Sequence, residues 1–460
     1  MGGVSESHRS LGLTADHRVA LEGLLTATPD AMLGAIGEMS RALPGARAAD
    51  LEHLVQSERV SRARRARAFG PLTSLFTPRD DGVEALTFPS AVLPRLWAEV
   101  VSLEPEMVSA LDADGARADA VADRLCQRAA AVVRDAPARI WPDDGASDRA
   151  RRLTALSEVL DLSAPARRLA GSMSAWTGRP SDAHAVELRA ALREAGDVHA
   201  DGAVRLLDIL LAQMADAWLI LRVVTEASPV GGGEALLRQS DLAIFVERLL
   251  TALEARLDRA GASAPTGDPE ACARFEADLA WCAAVLSEFD AALDLHPRSP
   301  WGARVRDARS RAARRLARTL RGLDRALDRA FPSRRIAVVG MMSRETPRLD
   351  LDLKGAEIEA AAAAVAHAAA LRGPAAVLGC EAERARAVQA ATDKLFIQAE
   401  RAVDAVNDGD LDIDPGPGEA TRRAVHARAV IGRMADLLAA LDAGGAARTV
   451  RRRIASSARR

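Results

Sequence analysis

Seven residues in the stretch EACARFEADLAWCAAVLSEFDAALDL recur at steps of three, four, three, four, three and four: Cys272, Phe275, Leu279, Cys282, Leu286, Phe289 and Leu293. That is an a/d seam sustained over three heptads, and it calls for a helix with one buried edge. The turn HPRSP follows, in which Ser299 suits an N-cap and Pro300 the first helical position. Beyond it, Val305, Ala308, Ala312, Leu316, Leu320, Leu323, Leu327 and Ala330 repeat with a mean spacing of about 3.6. Residues 268–331 are therefore expected to form a long, protruding antiparallel helical hairpin with arms of about 40–45 Å at 1.5 Å per residue.

Composition extends this expectation to the whole chain. Of 460 residues, 49% are hydrophobic but only 3% are aromatic, and tyrosine is absent, so the core has to be built from Ala, Leu and Val. Small side chains let helices approach closely, whereas sheets favour the β-branched and aromatic runs that are nearly missing here. The expected fold class is all-α, a multi-helix bundle. Helical patterns are read near 47–69, 90–112, 115–136, 147–160, 163–176, 181–195, 200–227, 240–260, 356–372, 375–407 and 418–442, besides the hairpin. In TATPDAMLGAIGEMSRALPG, Thr28 is the expected N-cap, with a core stripe of Met32, Leu33, Ile36 and Met39. One segment departs from the helical pattern. RRIAVVGMMSRETPRLDLDLKG has an apolar run, a polar turn with Pro347 and the alternation Leu349 to Leu353, which reads as one small β-hairpin.

The break IWPDDGASD suggests a boundary between an N-terminal helical region, 1–143, and a larger bundle, 147–460, ending in a basic tail, 443–460. SPVGGGE, Ser228 to Glu234, reads as a loop within that bundle. The apolar stretch Val204 to Val224 carries Arg205, Asp208, Asp216 and Arg222, which argues for a buried core helix and against an integral membrane span. The N-terminus lacks a basic segment followed by an apolar core, so a cytoplasmic location is expected.

Charge is the more informative signal. The chain has a formal net charge of −2 and its only lysines are Lys354 and Lys394, which leaves sixty arginines among its 62 basic residues. A GC-rich genome by itself swells arginine usage, so position matters more than number. Trp301 to Arg335 holds twelve arginines against three aspartates, a net +9, and leaves −11 on the other 425 residues. On a helical wheel Arg311, Arg314, Arg318, Arg321, Arg325 and Arg329 fall opposite the leucine stripe as one ridge. Three destinations are open to it: acidic helices of the same chain, solvent, or an anionic partner. The tail adds Arg451, Arg452 and Arg453, read as a solvated end or an arm reaching that partner. A further cluster holds Arg62, Arg64, Arg65 and Arg67.

Chemistry-bearing motifs are sparse. No HExxH, GxSxG, Walker or dinucleotide loop occurs, and the four cysteines have no metal or disulfide spacing. Asp197, His199 and Asp201 alternate at a helix boundary, where capping explains them as well as metal binding does. Asp408, Asp410, Asp412 and Asp414 begin like a calcium loop, but Pro415 and Thr421 stand where its glycine and glutamate belong. Cofactors and metals are therefore not expected, and a catalytic centre is not indicated. The expected function is a non-enzymatic helical adaptor or scaffold whose arginine ridge meets an acidic protein surface or a second copy. The alternatives are nucleic-acid association through ridge and tail, without the aromatic platforms of single-strand binders, and an enzyme with an unrecognised pocket.

Overall fold

The computed structural model describes residues 12–113, 115–141, 148–178, 180–228, 233–262, 269–337, 343–408 and 419–457. Among them are 21 α-helices and a single two-stranded antiparallel ribbon, so the chain is an all-α multi-helix protein. Backbone contacts divide it into two compact units, Met1–Gly231 and Gly232–Arg460. The expected boundary at 142–147 lies outside the described residues, but the helices on either side of it, Ala116–Asp135 and Arg149–Asp161, pack together inside the first unit. In sequence the two units meet between Gly231 and Gly232.

In the first unit, arginines stitch helix ends together. The last four carbonyls of a helix have no partner within it, and a cationic fork satisfies them while opposing the negative end of the helix dipole. Arg62 donates to the carbonyls of Leu25 and Thr28, both at 2.7 Å, where the Ala15–Ala27 helix ends. Arg167 donates to those of Arg67 and Ala68, at 3.0 and 2.9 Å, at the end of the Ala46–Phe69 helix. Arg79, itself held by Asp81, takes the carbonyls of Leu211 and Met214 at 2.7 and 2.8 Å. That last contact corrects the helix expected over 200–227. The chain stops being α-helical after Gln213, makes a 3-10 turn at Ala217–Leu219 and resumes as Ile220–Ala227.

Thr28 is corrected too. It closes the C-terminus of the Ala15–Ala27 helix, its hydroxyl donating to the Leu24 carbonyl at 2.8 Å, and the next helix starts after Pro29 without a side-chain cap. Its buried face is Leu33, Gly37 and Ser40, whereas Met32 and Met39 are exposed.

The second unit is organised on the Pro300–Ala330 helix. Every residue of the expected stripe, from Val305 to Ala330, is buried. The helix does not protrude: it packs against Ala243–Ala262, Pro269–Ala292, Ala356–Ala370 and Glu381–Asn407. The hairpin with Pro269–Ala292 is antiparallel near its turn, where Arg309 pairs with Asp290 and Arg315 lies within electrostatic reach of Cys282. Farther from the turn the Pro269–Ala292 helix contacts Ala356–Ala370 instead, with the rings of Phe275 and His367 5.3 Å apart and Glu276 bonded to the imidazole.

The start of the Pro300–Ala330 helix is closely satisfied. Ser299 Oγ accepts from the Gly302 amide at 3.2 Å, and the buried Glu234 carboxylate accepts from the Trp301 amide at 2.8 Å. A Cβ on Gly302 would sit 2.1 Å from the His296 carbonyl oxygen, so only glycine fits the turn.

The ribbon pairs Ser333–Ala337 with Ser343–Pro347, Arg335 standing opposite Glu345. The expected second strand, Leu349 to Leu353, is not a strand. Asp350 is taken up by Arg348 at 2.9 Å, and Asp352 receives the Lys354 amide on its side chain and the Gly355 amide on its carbonyl, turning the chain into the next helix. The supposed tail is corrected as well: Gly444–Ser457 is a helix whose Ala447 and Val450 are buried against the preceding helices.

Gly302→Ala is expected to destabilise the protein by more than about 2 kcal/mol through backbone displacement, and Glu234→Ala by about 1–2 kcal/mol through loss of the cap. Urea unfolding followed by circular dichroism checks both, and an unchanged midpoint for Gly302→Ala contradicts the close approach.

Candidate functional site

The ridge faces outward. Arg314, Arg318, Arg321, Arg325 and Arg329 are exposed, while the leucines opposite them are buried. The periodicity that seals one face fixes the other, because the two sets lie about half a turn apart on one cylinder. From Arg314 to Arg329 the row runs about 22 Å at 1.5 Å per residue.

Its neighbours sort the arginines into two groups. Those at the start of the helix serve the fold. Arg304 binds Glu254 with two nitrogens, at 2.8 and 2.9 Å, and also Glu247, and these bonds hold its pKa above the ordinary value despite partial burial. Arg309 meets Asp290, and Arg311 meets Asp258 and, at 4.0 Å, Asp307. From Arg314 onward the row has no acidic partner among the described residues. The two aspartates next to it, Asp324 and Asp328, turn to Lys394 instead. Partial burial works against the Lys394 charge, but the hydrogen bonds its ammonium donates to both carboxylates outweigh it and raise its pKa.

At the head of the ridge, Arg311, Arg314, Arg315 and Arg318 line an open cleft of about 350 Å³. Arg315 is the residue that the sequence wheel left out. It sits between ridge and stripe, its Nη1 is buried without a hydrogen-bond partner among the described residues, and burial followed by the Arg311 charge pushes its pKa down. Its i+4 spacing from Arg311 and i−3 spacing from Arg318 was the signal available in the sequence.

The other expected site residues fare differently. Arg451 pairs with Asp436 at 2.7 Å and Arg453 bridges Glu400 and Asp404, the latter at 2.6 Å, so both anchor the C-terminal helix; Arg452 is exposed. In the other basic cluster, Arg64 pairs with Asp112 and Arg67 donates to the Leu111 carbonyl at 3.0 Å. His199 is 3.1 Å from Asp161, and no group of three or more His, Cys, Asp or Glu among the described residues is placed to hold a metal. Asp410, Asp412 and Asp414 lie outside the described residues. No helix among the described residues is long and apolar enough to cross a membrane.

A second concavity, of about 430 Å³, lies beside the ribbon. Arg334, Asp350, Arg422, Arg423 and His426 line it together with Pro347, Leu349 and Ala427, and His426 Nε2 donates to the Leu351 carbonyl at 2.8 Å. Thr346, which also lines it, is 4% exposed and its hydroxyl has no partner among the described residues. No protein-family model, no curated protein and no solved structure matched the chain.

Two measurements test this account. A buried hydroxyl without a partner costs stability, so Thr346→Val is expected to stabilise by about 1 kcal/mol in urea unfolding; a loss of that size would show that the hydroxyl is bonded in solution. The cysteines give a pH signature. None of the four is disulfide-bonded and all are buried, and burial pushes the thiols of Cys126 and Cys282 from 9.0 up to about 12. The folded state keeps protons that the unfolded chain releases, so this stability is complete below pH 9 and is lost as pH rises from 9 towards 12. With no tyrosine and two lysines, little else titrates there. The urea midpoint should fall across pH 9–11, less steeply in Cys126→Ala, and a flat profile contradicts the burial of these thiols.

Proposed function

We propose that this protein is a non-enzymatic helical adaptor that docks an acidic protein surface along Arg314, Arg318, Arg321, Arg325 and Arg329. The carrying observation is a row of exposed guanidinium groups with no acidic partner among the described residues, on a helix whose opposite face is fully committed to the core. Like charges one turn apart on a helix repel by about 0.2–0.5 kcal/mol per pair, and the four successive pairs in this row have no acidic partner among the described residues to offset it. Arginine, with its planar fork, suits carboxylate recognition better than lysine does. Charge complementarity thus favours a partner rich in Asp and Glu, bound with salt-sensitive kinetics.

Gly322 offers a probe position: it is exposed in the middle of the row, and a Cβ there meets nothing within 4 Å. A photoreactive phenylalanine at 322, irradiated in the native cell, is expected to crosslink one acidic protein. The product should disappear when Arg318, Arg321 and Arg325 are changed together to Gln, with circular dichroism unchanged. Crosslinks to nucleic acid only, to a second copy only, or equally to many proteins would overturn the reading.

A further inference from the structure

The cleft at the head of the ridge differs from the rest of the row in both charge density and burial. Arg311, Arg314, Arg315 and Arg318 occupy positions i, i+3, i+4 and i+7, so two turns of helix bring four guanidinium groups around one concavity of about 350 Å³. The acidic groups paired there among the described residues are Asp258 and Asp307, both with Arg311. Asp278, on the neighbouring helix, is held by Arg256 and Arg259 at 3.3 and 3.7 Å. Among the described residues, four cations against two carboxylates leave the cleft two positive charges in excess. Arg315 lines the cleft with its Nη1 closed off from solvent and unbonded among the described residues, and Arg314 and Arg318 stand exposed beside it.

From this excess and this donor set we infer that the cleft takes a phosphate monoester dianion, carried by a phosphorylated side chain of the acidic partner. This rests on the adaptor reading above and names what its partner presents. A single carboxylate neutralises half of the excess and offers two acceptor oxygens. A phosphoryl group at neutral pH carries about −1.5 to −2 and three acceptor oxygens, enough to engage several guanidinium forks at once. The remaining ridge, Arg321 to Arg329, then receives the carboxylates that flank the phosphorylated residue.

The test uses the full chain and three fluorescent acidic heptapeptides, read by anisotropy at two salt concentrations, with phosphoserine, serine or glutamate at the centre and glutamates around it. The phosphoserine peptide is expected to bind about ten-fold tighter than the glutamate one. Arg315→Lys keeps the charge but not the fork, and should remove that preference while leaving the glutamate affinity in place. Arg325→Gln with Arg329→Gln should weaken both peptides and keep the preference. Equal binding of the phosphoserine and glutamate peptides overturns the phosphate inference and leaves the adaptor reading standing; no binding of any peptide, with the photocrosslink also absent, removes both. Parallel arms with a short oligonucleotide bearing a 5′-phosphate and with vesicles containing phosphatidylinositol phosphate identify the source: preference for either over the phosphoserine peptide overturns the assignment to a protein partner.

Discussion

Burial of one leucine-rich stripe governs the second unit. The Pro300–Ala330 helix places eight stripe residues, Val305 to Ala330, against surrounding helices. Each large apolar side chain so removed from water contributes about 1.5–3 kcal/mol, far more than any exposed ion pair. Once that face is fixed, rotation of the helix about its axis is settled, and with it the direction of every guanidinium group. The arginine row is outward because the leucines have no alternative.

The same logic explains what could be read in advance. Periodicity over long stretches is a strong local signal, and the helices at 46–69, 116–135, 269–292 and 300–330 follow it within a residue or two. The failures occur where a distant residue decides. Nothing near Gln213 announces that Arg79, more than a hundred positions earlier, will take the carbonyls of Leu211 and Met214. The alternation Leu349 to Leu353 has strand periodicity, yet its aspartates find local partners in Arg348, Lys354 and Gly355. The basic end looked solvated because Glu400, Asp404 and Asp436, which receive Arg453 and Arg451, lie on other helices. At the candidate site the wheel gave the ridge, but not Arg315, whose burial depends on the neighbouring helices that surround it.

Arginine thus does three kinds of work in one chain. Its fork closes helix ends in the first unit, as with Arg62, Arg79 and Arg167. It joins helices through carboxylates, as Arg304 does with Glu247 and Glu254. Among the described residues only Arg314 to Arg329 form a continuous exposed row, and there the adjacent aspartates are drawn aside by Lys394, one of two lysines in the protein.

That row contains neither histidine nor lysine. A guanidinium stays protonated throughout the range in which cells live, and it offers no amine for acetylation to neutralise. The ridge is therefore closed to the commonest cationic modification. Any tuning of an encounter on this face has to be written on the other molecule, or in the ions dissolved between them.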